Sequence, residues 1–350
     1  MSEVNIYRCT PRQAKEFAID CIESGLVPFI QSSPGMGKSA IMRAIARMFN
    51  LWLIDHRLST SAPEDMSGLP EFYDDTLGIR RARFVPFEMF PVAGTMLPKG
   101  YDGWMLFLDE ANSGTKMVQA ASYKLVLDRM VGQMHLHERV AMTMAGNLTT
   151  DRAIVNPLST AMQSRVIHIE MMIDHREWLE DVALVEVYDD RIIAFLNWKD
   201  SYLMDFRPDH QEKTFCCPRT WEFMNKLIKG KPVEDRKTSL YAGAITSGVA
   251  AEFVQFCQIY KELTQYEDVM RDPTTADVPR GADRRWAIVS HLMGKTDEKN
   301  FATVSSYINR YDLGFRALYF RGVLSQKPKL RSHPAFGPAM VAVNQYLNGV

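Results

Sequence analysis

The fold class of this chain is decided by the stretch Gln31-Ser32-Ser33-Pro34-Gly35-Met36-Gly37-Lys38-Ser39. Its two glycines allow a tight turn that brings backbone N–H groups against phosphate oxygens. Lys38 offers a positive charge to the β and γ phosphates, and Ser39 offers a hydroxyl to Mg²⁺. The spacing is that of a Walker A phosphate-binding loop, although Ser32 stands where the usual pattern has its first glycine.

The sequence on either side supplies the context that such a loop needs, a strand before it and a helix after it. The short apolar run Val27-Pro28-Phe29-Ile30 leads into the loop, and apolar residues recur at helical spacing over 39–49. The alternative is a glycine-rich turn with an incidental lysine. Because both the strand signal and the helix signal are present, we predict that a nucleotide contacts the loop at Ser33, Pro34, Gly35, Met36, Gly37, Lys38, Ser39 and Ala40.

The composition is that of an ordinary globular protein, with 46% hydrophobic and 24% charged residues among 350. A formal net charge of −1 gives no global bias towards nucleic acid or an anionic membrane, although a local basic patch remains possible. No apolar run approaches the length of a membrane span, and the first residues lack the pattern of a secretory signal. Five cysteines without a Cys-x-x-Cys pair favour reduced thiols, so we expect a cytoplasmic protein without membrane contact.

Four further segments with the character of strands follow the loop. In the first, apolar residues are interleaved with others, and the other three have the character of buried strands. The four segments cover 51–58, 104–108, 140–145 and 165–171, and helical patterns lie between several of them. This alternation predicts a parallel five-stranded sheet flanked by helices, the α/β P-loop fold. The segment 59–100 shows little periodicity, so we expect long loops with a short insert there. The segment 132–139 is typical of a tight reversal between two extended pieces.

After Met172 the pattern becomes helical, without a strong strand signal. We expect helices over 174–184, 190–204, 218–228 and 239–263, and a polar linker over 266–283. The predicted domains are an α/β nucleotide-binding domain over 1–172, an all-helical domain over 173–265, and a linker with a helical C-terminal extension over 266–350.

Polar side chains follow the buried strands at their carboxyl ends, where ligands bind to open parallel sheets. Asp109 would hold Mg²⁺ opposite Ser39, and Glu110 would polarise the attacking water as general base. Asn147 follows the next strand and could orient that water or contact the γ phosphate. The alternatives are a solvated charge pair that ends a strand and an ordinary turn asparagine.

The order of these motifs resembles that of the AAA+ ATPases, and most closely their MoxR and dynein-related branch, over about residues 10–265. The loop fits the GPPGxGKS pattern of the branch, and Leu108-Asp109-Glu110-Ala111-Asn112 is similar to its LDEIN segment. A third similarity joins Pro63-Glu64-Asp65-Met66-Ser67-Gly68 to its P-x-D-x-x-G segment. Ser113 departs from the arginine that usually comes next in that branch.

The resemblance implies roles for three residues outside the loop. Asn147 would be sensor 1, Arg165 the arginine finger, and Arg219 the sensor 2 of a helical lid. By themselves these two arginines would be surface charges or ion-pair partners. Because an arginine finger serves the nucleotide of a neighbouring subunit, the resemblance implies a homo-oligomeric ring, expected to be a hexamer, that uses ATP and Mg²⁺.

The function implied by the resemblance is ATP hydrolysis that remodels or activates a protein partner, as in MoxR-like chaperones. A separate protein with a von Willebrand factor A domain could be that partner, since this chain has no Asp-x-Ser-x-Ser motif. In that branch the hairpin over 132–137 and the insert after the second strand would face the pore or the partner.

Other functions stay open on the sequence alone. A nucleic-acid motor or loader could use the same ATPase core. The stretch Asn147-Leu148-Thr149-Thr150-Asp151-Arg152 is similar to a motif of McrB-like NTPases, which leaves GTP and a nuclease partner open. A nucleotide-dependent assembly scaffold with slow turnover is a further alternative.

Overall fold

The computed structural model describes residues 7–151, 156–261, 266–340 and 343. The chain divides into two compact units. Unit 1 comprises Met1–Ile173 with Arg207–Asp209, and unit 2 comprises Asp174–Phe206 with His210–Val350. The division into three domains remains a prediction.

Unit 1 carries strands and helices in alternation. In chain order its strands are β1 (Arg8–Cys9), β2 (Pro28–Gln31), β3 (Leu51–Arg57), β4 (Leu69–Asp74), β5 (Arg80–Val85), β6 (Gly103–Asp109), β7 (Met130–Val131), β8 (Met134–His135), β9 (Val140–Gly146) and β10 (Ile167–Met171). Its helices are α1 (Pro11–Glu23), α2 (Lys38–Met48), α3 (Pro63–Ser67), α4 (Lys116–Asp128) and α5 (Thr160–Gln163).

The central sheet has six parallel strands in the order β1-β10-β2-β9-β6-β3. The predicted fold class is confirmed: the five predicted strands are present, and the short β1 adds a sixth at one edge. Every residue of β6 is buried, as expected for a strand near the middle of a sheet covered on both faces. Side chains of β2, β6 and β9, including Phe29, Leu106 and Met144, join one apolar cluster with α4.

The parallel arrangement brings the carboxyl ends of four strands to one edge of the sheet. The phosphate loop follows β2, Asp109 ends β6, Gly146 ends β9, and Arg57 ends β3. The register pairs Gln31 with Gly146 and Arg57 with Asp109, so these ends are level with one another. Residues distant in sequence therefore meet at the carboxyl edge of the sheet.

The segment 59–100 differs from the prediction of long loops. It contains α3 and an antiparallel hairpin of β4 and β5, in which Leu69 pairs with Val85 and Asp74 with Arg80. All residues of both strands are exposed, so neither face has to be apolar and the sequence lacks the usual alternation. Gly68 has a φ of +84°, and a Cβ there would lie 2.2 Å from the Val85 carbonyl oxygen, so the hairpin root requires glycine. The predicted reversal over 132–139 is present as the β7–β8 hairpin.

Unit 2 is helical, and its described residues contain no strand. Its helices are α6 (His175–Trp178), α7 (Asp190–Trp198), α8 (Pro218–Ile228), α9 (Thr238–Ile245), α10 (Ser247–Lys261), α11 (Tyr266–Arg271), α12 (Ala282–Lys295), α13 (Phe301–Ile308), α14 (Leu313–Gln326) and α15 (Phe336–Met340). The fully buried rings of Phe195, Trp221 and Phe253 hold α7, α8 and α10 together.

The structure differs in detail from the helix expected over 239–263, and it places a helix within the expected linker over 266–283. The single helix expected over 239–263 is broken at Thr246, whose φ of +75° lies outside the helical region. The expected linker over 266–283 contains α11, whose Val269 is fully buried. Helix α12 packs against α7, and His291 contacts Asp190 at 3.3 Å, so the segment after this stretch shares one helical unit with the segment before it.

Two further observations concern the whole described chain. No helix within 7–151, 156–261 or 266–340 combines the length and apolar character that a membrane span requires. All five cysteines are buried, and burial raises the pKa of the Cys216 thiol to about 12.

Candidate nucleotide-binding site

The phosphate loop connects β2 directly to α2, as the motif requires. Gly35 and Gly37 have φ values of +79° and +89°, which only glycine adopts without strain, and Gly37 is the N-cap of α2. No side chain caps this N-terminus, so its N–H groups and its positive dipole end remain available to an anion. Of the other predicted loop contacts, Met36 is buried, Ser33 and Pro34 are half-buried, and Ala40 is exposed.

The Lys38 side chain folds back over its own loop. Its ammonium nitrogen donates to the Ser32 carbonyl at 2.9 Å and to the Ser33 carbonyl at 3.3 Å. It also donates to Asn147 Oδ1 at 3.2 Å, although the two residues are 109 positions apart in the chain. Lys38 and Asn147, both predicted site residues, thus connect the loop to the end of β9.

A second contact joins the loop to the end of β6. The Ser39 hydroxyl donates to Asp109 Oδ2 at 3.2 Å, and Asp109 is buried. A hydroxyl and a carboxylate are the oxygen donors that Mg²⁺ takes together with phosphate oxygens and waters, so these residues fit that ion. No cluster of three or more His, Cys, Asp or Glu side chains able to hold a metal occurs among the described residues.

The negative charge of Asp109 acts on a second carboxylate, that of Asp55. Burial raises the pKa of Asp55 above its ordinary value, and the charge of Asp109 raises it further. Arg57 and Arg43 act in the opposite direction. A cation bound beside Asp109 would offset part of the repulsion that Asp109 exerts on Asp55.

Glu110 has an unusual backbone and a specific partner. Its φ of +52° is rare for a residue with a side chain, and its N–H donates to Asp109 Oδ1 at 2.8 Å. The Ser59 hydroxyl donates to Glu110 Oε2. Glu110 is therefore held towards the segment that follows β3, by a serine that sequence reasoning did not select.

Asp151 is a second residue that sequence reasoning did not select for the site. It is only 8% exposed, and its Oδ2 atom is buried without a hydrogen-bond partner. Burial raises its pKa, while the Ser33 hydroxyl and the Lys38 charge lower it and Glu170 raises it. A buried carboxylate thus lies close to the phosphate loop. Its neighbour Arg152, the last residue of the McrB-like stretch, lies outside the described residues.

The two predicted arginines occupy exposed positions. Arg165 follows α5 and precedes β10, rather than starting that strand, and its guanidinium donates to the Ala161 carbonyl and the Ser164 hydroxyl. Arg219 lies in unit 2, in the first turn of α8, and is also exposed. Their roles as arginine finger and sensor 2 remain predictions.

Comparison with known proteins gives only weak likenesses. No described protein family and no curated protein matches the chain. Among solved structures, a candidate ATPase from Cytophaga hutchinsonii is 12% identical, with a TM-score of 0.34, and covers 96% of this chain and 79% of its own. A RuvB mutant from Thermotoga maritima is 17% identical, with a TM-score of 0.37. The match covers 70% of this chain and 69% of the RuvB chain.

A third similar structure is NtrX from Brucella abortus, 13% identical with a TM-score of 0.35, covering 96% of this chain and 67% of its own. NtrX in complex with ADP is also similar, at 13% identity and a TM-score of 0.35. At such low scores and identities the likenesses carry no argument beyond the geometry of the site.

Proposed function

We propose that this chain is a Mg²⁺-dependent ATPase of the AAA+ class. One observation carries the proposal: Lys38 meets Asn147 and Ser39 meets Asp109 at the carboxyl edge of the sheet, so one loop contacts the ends of both β6 and β9. A phosphate loop needs its lysine, its hydroxyl and an acidic strand end within reach of the same triphosphate. Neither a solvated strand-end charge nor a turn asparagine would require these contacts.

Each side chain has a separate task in this proposal. The loop amides and the α2 N-terminus bind the phosphates, and Lys38 leaves some of its present acceptors to neutralise the β and γ oxygens. Ser39 and Asp109 would hold Mg²⁺, which when bound supplies positive charge to the phosphate oxygens. Asn147 orients the attacking water, and Glu110 accepts its proton after leaving Ser59.

The assembly and the partner are proposed from the resemblance. Arg165 is exposed, as a residue that reaches a neighbouring subunit must be, and its contribution to rate would then need a homo-oligomeric ring such as a hexamer. Arg219 would sense the γ phosphate from the helical unit. Alternation between nucleotide states would remodel a protein client, for which a separate von Willebrand factor A-domain protein is one candidate.

The test of the hydrolytic function is phosphate release from ATP with Mg²⁺, by the wild-type chain and by Glu110→Gln. We expect Glu110→Gln to bind ATP normally and to lose on the order of 10²–10⁴-fold in turnover, the usual contribution of a positioned base. Glu88→Gln is the matched control, since Glu88 is exposed and follows the β4–β5 hairpin rather than a strand of the central sheet. Normal turnover by Glu110→Gln would show that the base is assigned wrongly.

The competing functions are separated by what changes the rate. Turnover is measured with and without DNA, RNA and candidate proteins at two salt concentrations, and with GTP in place of ATP. Stimulation by nucleic acid that fades with salt would favour the motor or loader. Faster turnover of GTP would favour the McrB-like alternative. Nucleotide-dependent sedimentation without phosphate release would favour a scaffold.

A further inference from the structure

We infer that Asn112 is a positioning residue that sets the place of Asn147 in the site, an inference that rests on the proposed function. Asn112 lies two residues beyond Glu110 and is only 2% exposed. Its Nδ2 donates to the Asn147 carbonyl at 2.7 Å, and its Oδ1 accepts from the Asn147 N–H at 3.1 Å. One side-chain amide therefore binds both polar groups of a single backbone residue.

These two bonds continue the sheet beyond the ends of its strands. The last paired residues of β6 and β9 are Leu108 and Met144, and the Ala111 N–H then donates to the Ala145 carbonyl at 2.8 Å. The Asn112 amide takes the next position and replaces a backbone rung with a side chain. Because one bond uses the amide nitrogen and the other the oxygen, turning the amide over would lose both, so its orientation is fixed.

A glycine in the neighbouring backbone provides the space that the Asn112 amide occupies. A Cβ on Gly146 would lie 2.4 Å from Asn112 Oδ1, a distance that side chains do not tolerate. Glycine at 146 thus lets the amide approach the Asn147 backbone. This requirement explains a glycine at the end of β9 that the phosphate-loop motif alone does not explain.

Asn112 is itself held from the other side. Its carbonyl accepts from the Asn156 N–H at 2.7 Å, and Asn156 Nδ2 donates to the Gly114 carbonyl at 3.0 Å. The buried Gln119 donates from Nε2 to the Asn156 carbonyl at 3.2 Å. This connected network joins the buried amides of Asn112 and Gln119 through the half-buried Asn156. It fixes the Asn112 backbone and with it the place of its side chain.

The consequence reaches the site through Asn147. The Asn147 backbone is fixed by Asn112, and its side chain accepts from the Lys38 ammonium. A shift of about 1 Å in such a group costs on the order of 10²-fold in rate when geometry controls the chemistry. Asn112 contacts no phosphate in this account, so its whole effect on turnover passes through the Asn147 side chain.

The test is a double-mutant cycle on kcat and KM with Asn112→Asp and Asn147→Ala. Asn112→Asp preserves size but cannot donate to the Asn147 carbonyl, and Asn147→Ala keeps the backbone groups while removing the side chain. We expect Asn112→Asp to lower kcat by on the order of 10–100-fold in the wild-type background and by less than about twofold when Asn147→Ala is present. A purely structural role would lower kcat by the same factor in both backgrounds.

The matched control is Asn225→Asp in unit 2. Asn225 is also a buried asparagine whose Oδ1 accepts a backbone N–H, from Asp189 at 2.8 Å. We expect this control to lower the melting temperature while leaving kcat unchanged. If Asn112→Asp does not fold, Gly146→Ala serves instead. Its Cβ would press on both the Asn112 amide and the Phe29 ring without removing any hydrogen-bonding group, so its effect on kcat is compared with and without Asn147→Ala.

Hydrogen exchange gives a readout that does not need turnover. The Asn147 N–H should exchange slowly in the wild type and at least tenfold faster in Asn112→Ala, which removes the Oδ1 acceptor that Asn112→Asp keeps. If the wild type hydrolyses ATP and Asn112→Asp does so at the same rate, the inference is overturned. An unchanged exchange rate of the Asn147 N–H in Asn112→Ala would overturn it as well. No wild-type turnover together with the expected exchange result would refute the proposed function and leave the positioning role standing.

Discussion

Replacing Lys38 with methionine tests the site most directly. The substitution keeps the length and much of the volume of the side chain but removes its charge. In the structure the ammonium has acceptors at 2.9–3.3 Å on Ser32, Ser33 and Asn147, and we expect a triphosphate to compete for the same donor. The variant should therefore bind nucleotide more weakly while the sheet stays intact.

The expected loss can be worked from this geometry. A hydrogen bond to a charged group contributes about 1.5–3 kcal/mol net, since the gain against phosphate is reduced by the contacts that Lys38 gives up. That range corresponds to roughly 10- to 150-fold weaker binding. Of the acceptors that Lys38 leaves behind, those on Ser33 and Asn147 are half-buried, so water can satisfy them. Ser32 is fully buried, so we expect the substitution to lower the stability as well.

The assay is a titration with a fluorescent ATP analogue, run beside thermal unfolding. Lys116→Met is the matched control, because Lys116 is the first residue of α4 as Lys38 is of α2, yet it is exposed and follows an ordinary threonine cap. We expect the control to bind as the wild type does. Binding by Lys38→Met within twofold of the wild type, in a variant that thermal unfolding shows to be folded, would refute the assignment of the loop.

Two further predictions concern residues at the margin of the site. The folded pKa of Asp151 is raised by burial, so its charge costs stability above that pKa and the cost disappears as the pH falls through it. Asp151→Asn should therefore melt higher than the wild type at neutral pH, with a difference that shrinks towards pH 3.8, as thermal unfolding across pH would show; a constant difference would contradict the cause given. Arg165→Ala should lose on the order of 10³-fold in turnover without losing ATP binding. Mixing it with Glu110→Gln should restore part of the rate if sites are shared between subunits, and no recovery in a mixed assembly would argue against a shared site.

The sequence by itself determined the fold class and the phosphate loop. Glycines at 35 and 37, a lysine and a serine are needed at fixed spacing because the loop binds its ligand largely through local backbone geometry. Asp109 and Asn147 could also be selected, since each follows a buried apolar strand and the carboxyl ends of parallel strands share an edge. The sequence left their mutual distances open, and the structure supplied the contacts with Ser39 and Lys38.

The tertiary structure alone decided which other residues accompany these side chains. Ser59 has no motif around it, and the McrB-like stretch that contains Asp151 gave that residue no role. The two residues reach Glu110 and Ser33 only because separate connections return to the same edge of the sheet. The β4–β5 hairpin escaped prediction because its strands are exposed on both faces and need no apolar alternation. The backbone requirements of a loop can be identified from a short stretch of sequence. Contacts between distant segments depend instead on how the whole sheet brings its strand ends together.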